Sequence, residues 1–326
     1  MVLPVRDGGA WLREAVDSVL AQTWSDFELV VVDDGSRDGA AAALHGLDPR
    51  IAVLRTEGVG VAVAANLGLR AARGAYIARM DGDDRCHPER LARQVQFFED
   101  HPDIGLAATG IEFFPRRDVR EGNLRYQCWL NGLRDPAGIE RELFIENPLP
   151  NPSTMMRREV LERLGGYREN VDWPEDYDFV LRVAGAGFRM GKPDGVLLRW
   201  RDHGHRLTRT DAVYGKDRFI RAKAHALAGW RLPDSPFVIW GSGPTGAMLF
   251  DALRAEGREA EGFLDLHPRR IGARKRGRPV WPLERLVRLR ESFILVAVAA
   301  WGAREEIRGF MRRHGREEGV DHLFCA

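Results

Sequence analysis

Phe27-Glu28-Leu29-Val30-Val31-Val32-Asp33-Asp34-Gly35-Ser36 is the stretch on which the fold turns. A near-continuous apolar, β-branched run reads as a strand buried on both faces, and the carboxylates that follow mark its C-terminal end. Such a strand belongs to a mostly parallel sheet covered by crossover helices. Upstream, Trp11, Leu12, Ala15, Val16, Val19 and Leu20 recur at helical spacing and give one apolar face to a helix. That helix joins a first short strand, Met1-Val2-Leu3-Pro4-Val5, to the second. Downstream, Ile51 to Leu54 and Ala75 to Met80 read as further strands. Between them Val61 to Ala72 is an Ala- and Leu-rich helix, stopped at Arg73-Gly74 where glycine suits a helix C-terminus.

Two acidic clusters sit at strand ends: Asp33-Asp34 on the second strand and Asp81-Gly82-Asp83-Asp84 after Ala75 to Met80. In an open parallel sheet that edge is where ligands bind. Carboxylates gathered there repel one another unless a cation or hydrogen-bond donors offset the charge, which predicts a divalent metal. Oxygen ligands with no cysteine nearby favour Mg²⁺ or Mn²⁺ over zinc, and phosphate oxygens commonly complete such a shell. The implied ligand is a nucleotide diphosphate. Alone, Asp33-Asp34-Gly35-Ser36 reads equally well as an Asx turn; two clusters one βαβ unit apart favour function. A third acidic element, Glu175-Asp176-Tyr177-Asp178, opens a helix pattern, where carboxylates also serve as N-terminal helix charges.

Several short motifs occur in one order: Leu3-Pro4-Val5, Ser18-Val19-Leu20-Ala21-Gln22-Thr23, Glu28 to Ser36, Asn66-x-Gly68, Ala72-Arg73-Gly74, Asp81-x-Asp83-Asp84 and the later Glu175-Asp176 pair. Together they closely resemble a family-2 inverting glycosyltransferase over roughly residues 1 to 230. The resemblance departs from the family pattern at Arg6-Asp7, where members usually carry a Tyr-Asn-like pair, and at Ala65, often basic. It implies a GT-A fold, a nucleotide-sugar donor with a UDP-sugar first, and a glycan or lipid-linked acceptor. It further implies that Pro4 and Val5 lie beside the nucleobase, that Asp34, with Asp33, accepts a base N–H, and that Asp81 faces the ribose or sugar. Asn66 and Glu175 fall among the substrate-binding positions. Asp83 is expected to bind the metal and Asp176 to be the general base. The polar cluster Arg201, His203, His205 and Arg206 resembles the loop after the catalytic segment. There a histidine, His203, is expected to complete the metal shell and Arg206 to pair with the diphosphate, although a solvated basic loop is an equal reading.

From about Arg116 to Arg158 the pattern is irregular, with Pro115, Pro136, Pro148, Pro150 and Pro152 interrupting any long helix, as a substrate-shaping insertion would be. Leu232-Pro233-Asp234-Ser235-Pro236 reads as a linker between a first domain at 1–231 and a small Rossmann-like α/β domain at 236–326. The latter opens with Val238-Ile239-Trp240-Gly241-Ser242-Gly243-Pro244-Thr245-Gly246, a GxGxxG between a strand and a helix pattern, and Asp265 closes the next strand. Gly241, Gly243, Gly246 and Asp265 thus form a candidate second nucleotide site. Roughly 90 residues cannot hold both dinucleotide-binding halves and a substrate domain, so glycines serving only the tight turn are the favoured reading.

Lys plus Arg number 49 against 48 Asp plus Glu, and the formal charge of +1 is spread along the chain, which argues against a nucleic-acid partner. The longest apolar run, Phe293 to Trp301, falls far short of the ~20 residues of a membrane-spanning helix, leaving peripheral membrane contact as the expected limit. With no export signal recognisable, cytoplasmic residence is expected. The three cysteines are too scattered for a disulfide framework or zinc cage. The leading expectation is a metal-dependent inverting glycosyltransferase in cell-surface glycan or polysaccharide synthesis. The rivals are an NAD-linked oxidoreductase built on the C-terminal glycines and a catalytically silent nucleotide-sugar-binding scaffold.

Overall fold

Two N-terminal strands, β1 (Val2–Val5) and β2 (Leu29–Asp34), pair in parallel with helix α1 (Gly9–Leu20) between them in sequence. Every residue of both strands is buried, which is why the valine run carries no polar alternation. The computed structural model describes residues 1–300 and 302–326; Trp301, the end of the apolar run noted above, lies outside them. Strand β3 (Ile51–Thr56) pairs parallel to β2, and α2 (Val61–Ala71) leads to β4 (Tyr76–Ala78), which meets β1 through a parallel Val2–Arg79 bridge. The order β3-β2-β1-β4 puts the two acidic strand ends on either side of β1.

The chain continues as β5 (Arg85–Cys86), α3 (Arg90–Asp100), β6 (Ile104–Ala107), β7 (Gly110–Phe114), α4 (Glu121–Gly132), α5 (Pro136–Glu142), β8 (Met155–Arg157), α6 (Arg158–Leu164), α7 (Glu175–Gly185), β9 (Arg189–Gly191), β10 (Val196–Arg201) and α8 (Leu207–Thr210). β8 inserts antiparallel between β4 and β6, and β9 closes that sheet beside β6. β10 lies between β5 and β7 in a small separate sheet, so the end of β10 faces the acidic run that precedes β5. Leu3, Leu12, Val16, Val31, Phe98 and Ile111 belong to one buried apolar cluster. At about 1.5–3 kcal/mol for each large side chain fully buried, this cluster fixes the strands whose ends carry the carboxylates.

One expectation is corrected here. The segment read as irregular contains α4, twelve residues long, and the shorter α5. Pro115 and Pro136 bracket α4 rather than interrupt it, and only Leu130 on it is buried, too narrow an apolar stripe to show as periodicity.

The chain divides into two compact units: 1–139, 148–171 and 175–211 form the first, and 140–147, 172–174 and 212–326 the second. The expected linker at 232–236 therefore lies inside the second unit, which already includes α9 (Lys216–Ala226). Ile145 packs with Val238, Trp240 and Ile294, and the buried Lys223 ammonium donates to the Ile145 and Cys325 carbonyls. A helical pattern shows that α9 has an apolar face but not which core it meets.

Beyond α9 come β11 (Phe237–Trp240), α10 (Pro244–Ala255), β12 (Phe263–Leu264), β13 (Arg274–Lys275), β14 (Arg278–Trp281), β15 (Phe293–Val296), α11 (Ala303–Arg313) and β16 (His322–Phe324). The order is β13-β14-β12-β11-β15-β16, parallel except for the β13–β14 hairpin, and the direction of winding reverses between β12 and β15 at β11. Among the described residues no helix is long and apolar enough to cross a membrane, and the three cysteines are free thiols.

Candidate active site

The β2 end is held by its own hydrogen bonds. Asp33 accepts from the Ser36 amide at 2.8 Å and pairs with Arg55. Asp34 accepts from Thr56 Oγ1 (2.6 Å), the Val59 amide (2.7 Å) and the Gly60 amide (2.9 Å). Burial alone would raise the Asp34 carboxyl, but those donors, with Arg6 nearby, outweigh it and hold it below its ordinary value. Asp34 thus enters any ligand-bound state ionised, with most of its acceptor capacity already used to pin the loop after β3. Pro4 and Val5 lie buried beside it on β1, Val5 in register with Asp33.

Across β1, one oxygen each of Asp81, Asp83 and Asp84 lie within 4.8 Å of one another. Asp81 pairs with the buried Arg79 guanidinium at 2.8 Å. Asp83 accepts from His203 Nε2 at 2.8 Å, and Trp11 packs against the His203 ring at 4.6 Å between centroids. Asp84 is fully buried; Oδ1 accepts the Arg201 amide at 2.7 Å, while Oδ2 has no hydrogen-bond partner among the described residues. Burial and then the Asp83 and Asp81 charges push the Asp84 carboxyl well up, and burial also raises Asp81 against the pull of Arg79. The run carries more negative charge than its donors offset. An all-oxygen set with an orphaned buried carboxylate oxygen fits a hard divalent cation.

Arg201, at the end of β10, holds this run in place. Its Nε donates to the Asp83 carbonyl at 2.6 Å, its guanidinium pairs with Glu14 of α1, and it stacks on Trp11 and Phe114. Of the neighbouring cluster, Arg206 lies over the Trp200 ring at 4.5 Å and near Asp202 at 3.8 Å, and its charge reaches Asp81 and Asp84. His205 is exposed.

The later acidic element converges on the same place. Glu175 is buried and Asp176 half-buried at the start of α7. The charges of Asp81 and Glu175 both act on Arg79, and Glu175, Asp176 and Asp81 all act on the buried Tyr167 hydroxyl, which burial pushes well up. Arg79 and Tyr167 therefore lie within electrostatic reach of both carboxylate sets. Asp178 instead pairs with Arg182 (2.7 Å) and Arg168 (3.3 Å), a structural role. Sequence reasoning missed Arg79, Tyr167 and Glu14, and named Arg201 only as one of a polar cluster. The one signal available was Arg79 itself, a charge closing an apolar strand, since a buried charge needs a partner.

Asn66, expected among the substrate-binding positions, is engaged by its own chain. Its Nδ2 donates to the Tyr167 carbonyl and to Glu169 Oε1, both at 2.8 Å, and its Oδ1 accepts the Tyr167 amide at 2.9 Å. Gly166, at φ +85°, lets the chain pass so close that a Cβ there would lie 2.5 Å from Asn66 Oδ1. Asn66→Ala would leave both backbone groups of Tyr167 without these partners, and a stability loss of about 2 kcal/mol is expected in urea unfolding. Unchanged stability with a raised donor KM would instead make Asn66 a substrate contact.

The profile of the family described as Glycosyl transferase family 2 matches residues 1–165, just over half of the chain. The chain belongs to glycosyl transferase family 2. EpsE of Bacillus subtilis (strain 168), named as a glycosyltransferase, is 30% identical over 234 residues, covering 70% of this chain and 81% of EpsE. The amylovoran biosynthesis glycosyltransferase AmsE of Erwinia amylovora is 27% identical over 194 residues, 58% of this chain and 70% of AmsE. S. aureus TarS, solved in complex with UDP-GlcNAc, superposes with a TM-score of 0.57 at 17% identity, over 77% of this chain and 70% of TarS. The shared architecture is the GT-A fold.

In this glycosyltransferase the second-unit glycines are accounted for by backbone packing. A Cβ on Gly246 would lie 1.8 Å from the Gly241 carbonyl oxygen, and Gly241 sits at φ +114°. Asp265 accepts from Ser242 N (2.9 Å) and Ser242 Oγ, from the His267 amide (2.9 Å) and from Arg270 (3.2 Å), tying the loop to the β12 end. Gly243 opens α10 as its N-terminal cap. Burial works against the Asp265 charge, yet these donors bring its carboxyl down to about 2. A depressed folded-state value stabilises above the unfolded value of 3.8 and is lost as pH falls toward 2. Asp265→Asn should therefore cost the second unit about 2 kcal/mol at pH 7, with the gap from the unmutated chain closing as the pH is lowered from 5 to 3. A gap independent of pH would show that the carboxylate charge is not what holds the loop.

Proposed function

We propose that this chain moves a sugar from a nucleotide-diphosphate sugar to an acceptor hydroxyl with inversion, in the synthesis of a cell-surface glycan or polysaccharide. The observation that carries the reading is the convergence of Asp81, Glu175 and Asp176 on Arg79 and Tyr167, next to the Asp83-Asp84 pair. An inverting transfer is one in-line displacement, which needs a proton acceptor on one face and positive charge at the leaving diphosphate on the other. Two carboxylate sets, both acting on the buried Arg79 guanidinium, support that division.

We assign Asp83, with His203 beside it, to hold Mg²⁺ or Mn²⁺, which when bound neutralises charge on the diphosphate leaving group. Arg206 adds a guanidinium to the same phosphates. Asp81 faces the ribose or sugar, and Pro4, Val5, Asp33 and Asp34 form the nucleobase end. Asp176 takes the acceptor proton, and Glu175 orients the acceptor. A UDP-sugar is the first donor to test, the TarS complex with UDP-GlcNAc being its support. A glycan or lipid-linked acceptor is supported by the relative named for amylovoran biosynthesis. Cytoplasmic residence, checked by fractionation, goes with this donor class.

The test is a thermal-shift panel of UDP, GDP, dTDP and NAD with and without Mn²⁺, followed by NMR of the anomeric configuration of the product. A ligand that binds only the folded state raises its apparent stability. The expected result is a Mn²⁺-dependent shift with one nucleoside diphosphate and a product of inverted configuration. A shift with NAD alone would favour an oxidoreductase, and donor binding without donor hydrolysis or transfer would favour a silent scaffold.

A further inference from the structure

The second unit contains an open cavity of about 580 Å³ that belongs to none of the machinery above. Its wall is built mainly from α11 and the turn that follows, with Arg308, Arg312, Arg316, Glu317 and His322 among the lining residues. Arg308 is already matched, pairing with Glu142, Glu305 and Glu318. Arg316 is buried and donates only to the Ser292 and Leu289 carbonyls, and Arg312 is exposed; among the described residues neither has a carboxylate partner. His322 is 1% exposed; the Glu317 backbone acts on its ring, but among the described residues neither ring nitrogen makes a hydrogen bond of ordinary geometry. Buried polar groups are seldom left so poorly satisfied, and an imidazole in that state at a cavity wall points to a missing ligand.

Three features set the chemistry of that ligand. Among the described residues Arg312, whose charge acts on Glu305, and Arg316 make no close ion pair, so an oxyanion suits them, and their forked donors match phosphate. A neutral imidazole offers one donor and one acceptor, the complement of a hydroxyl group, and Glu317 adds an acceptor. Burial keeps His322 neutral, pushing it down to about 4, with Asp321 and the Glu317 backbone opposing and Arg316 and Arg308 adding to the effect. The volume is far larger than inorganic phosphate needs and lies in the range of small-molecule sites.

We propose that this cavity binds a hydroxylated phosphate ester of sugar-phosphate size, with the phosphate on Arg312 and Arg316 and a hydroxyl on His322. Neither ring nitrogen touches solvent in the present arrangement, so side chains around the imidazole must shift as the ligand engages it.

The experiment is calorimetric titration of the full chain with glucose 1-phosphate, glucose 6-phosphate, inorganic phosphate and glucose, together with NMR of the histidine ring signals. The expected result is saturable binding of a hexose phosphate, weaker binding of phosphate, none of glucose, and a shifted His322 signal. Arg312→Ala changes an exposed side chain and should weaken binding at least about tenfold, the scale of one lost charge-assisted contact. His322→Phe should do the same while leaving thermal stability equal or higher, whereas His322→Gln should retain part of the affinity. Asp83→Ala should leave this binding intact, which separates the cavity from the carboxylate site. No saturable binding of either hexose phosphate, or binding indifferent to Arg312→Ala and His322→Phe, would overturn the proposal.

Discussion

Asp83→Ala should reduce sugar transfer by about 10³-fold or more, the scale lost when a group that stabilises developing charge is removed from a site. Asp83 and Asp81 are both partly exposed, and loss of the Asp83 carboxylate leaves the contacts of the other two in place: Asp81 on Arg79, Asp84 on the Arg201 amide. Stability should change little or rise, because one of the mutually repelling charges is gone. Calorimetry with UDP, or whichever diphosphate the donor panel selects, should show Mn²⁺-dependent binding in the unmutated chain and none in the variant. Excess EDTA should reproduce the loss in the unmutated chain. Full transfer in EDTA would remove the metal from the mechanism and leave Arg206 as the charge at the diphosphate.

Asp176→Asn should lower kcat by about 10²- to 10⁴-fold with donor affinity nearly unchanged, the size of a general-base contribution. The substitution keeps the shape and the neighbouring Tyr177 amide contact while removing the proton acceptor. Asp176 lies in the first turn of α7. If donor KM rose and kcat held, Asp176 would be a positioning group. Glu175 would then be the base to test, since Asp178 is held between Arg182 and Arg168.

What could be read from the sequence was whatever is encoded over a few neighbouring residues. The valine run, the apolar face of α1 and the acidic strand ends carry their meaning within ten residues or so, and each forms where periodicity places it. α4 escaped because a helix that buries a single side chain leaves almost no periodic trace. The contacts of Asn66 were hidden for a different reason: its motif is local, but the backbone groups it bonds belong to Tyr167, 101 positions away. Arg201 is the extreme case, joining Asp84 across 117 positions and Glu14 across 187. No window of sequence contains both ends of such a contact.

Those separations also set the timetable of biosynthesis. Strands β1 to β4 have been translated by residue 78, but β8, which covers the open side of β4, begins at Met155, and the Arg201 amide follows later still. At about 5–20 residues per second, the ribosome takes on the order of ten seconds to get from Asp84 to Arg201. Throughout that interval the nascent chain presents an unpaired β4 edge, the kind of surface that recruits a wrong strand, beside carboxylates whose Arg201 contacts do not yet exist. The half of the protein that is made first is the half most dependent on what is made afterwards, so a chaperone acting on this enzyme would be needed before residue 201 emerges rather than after release.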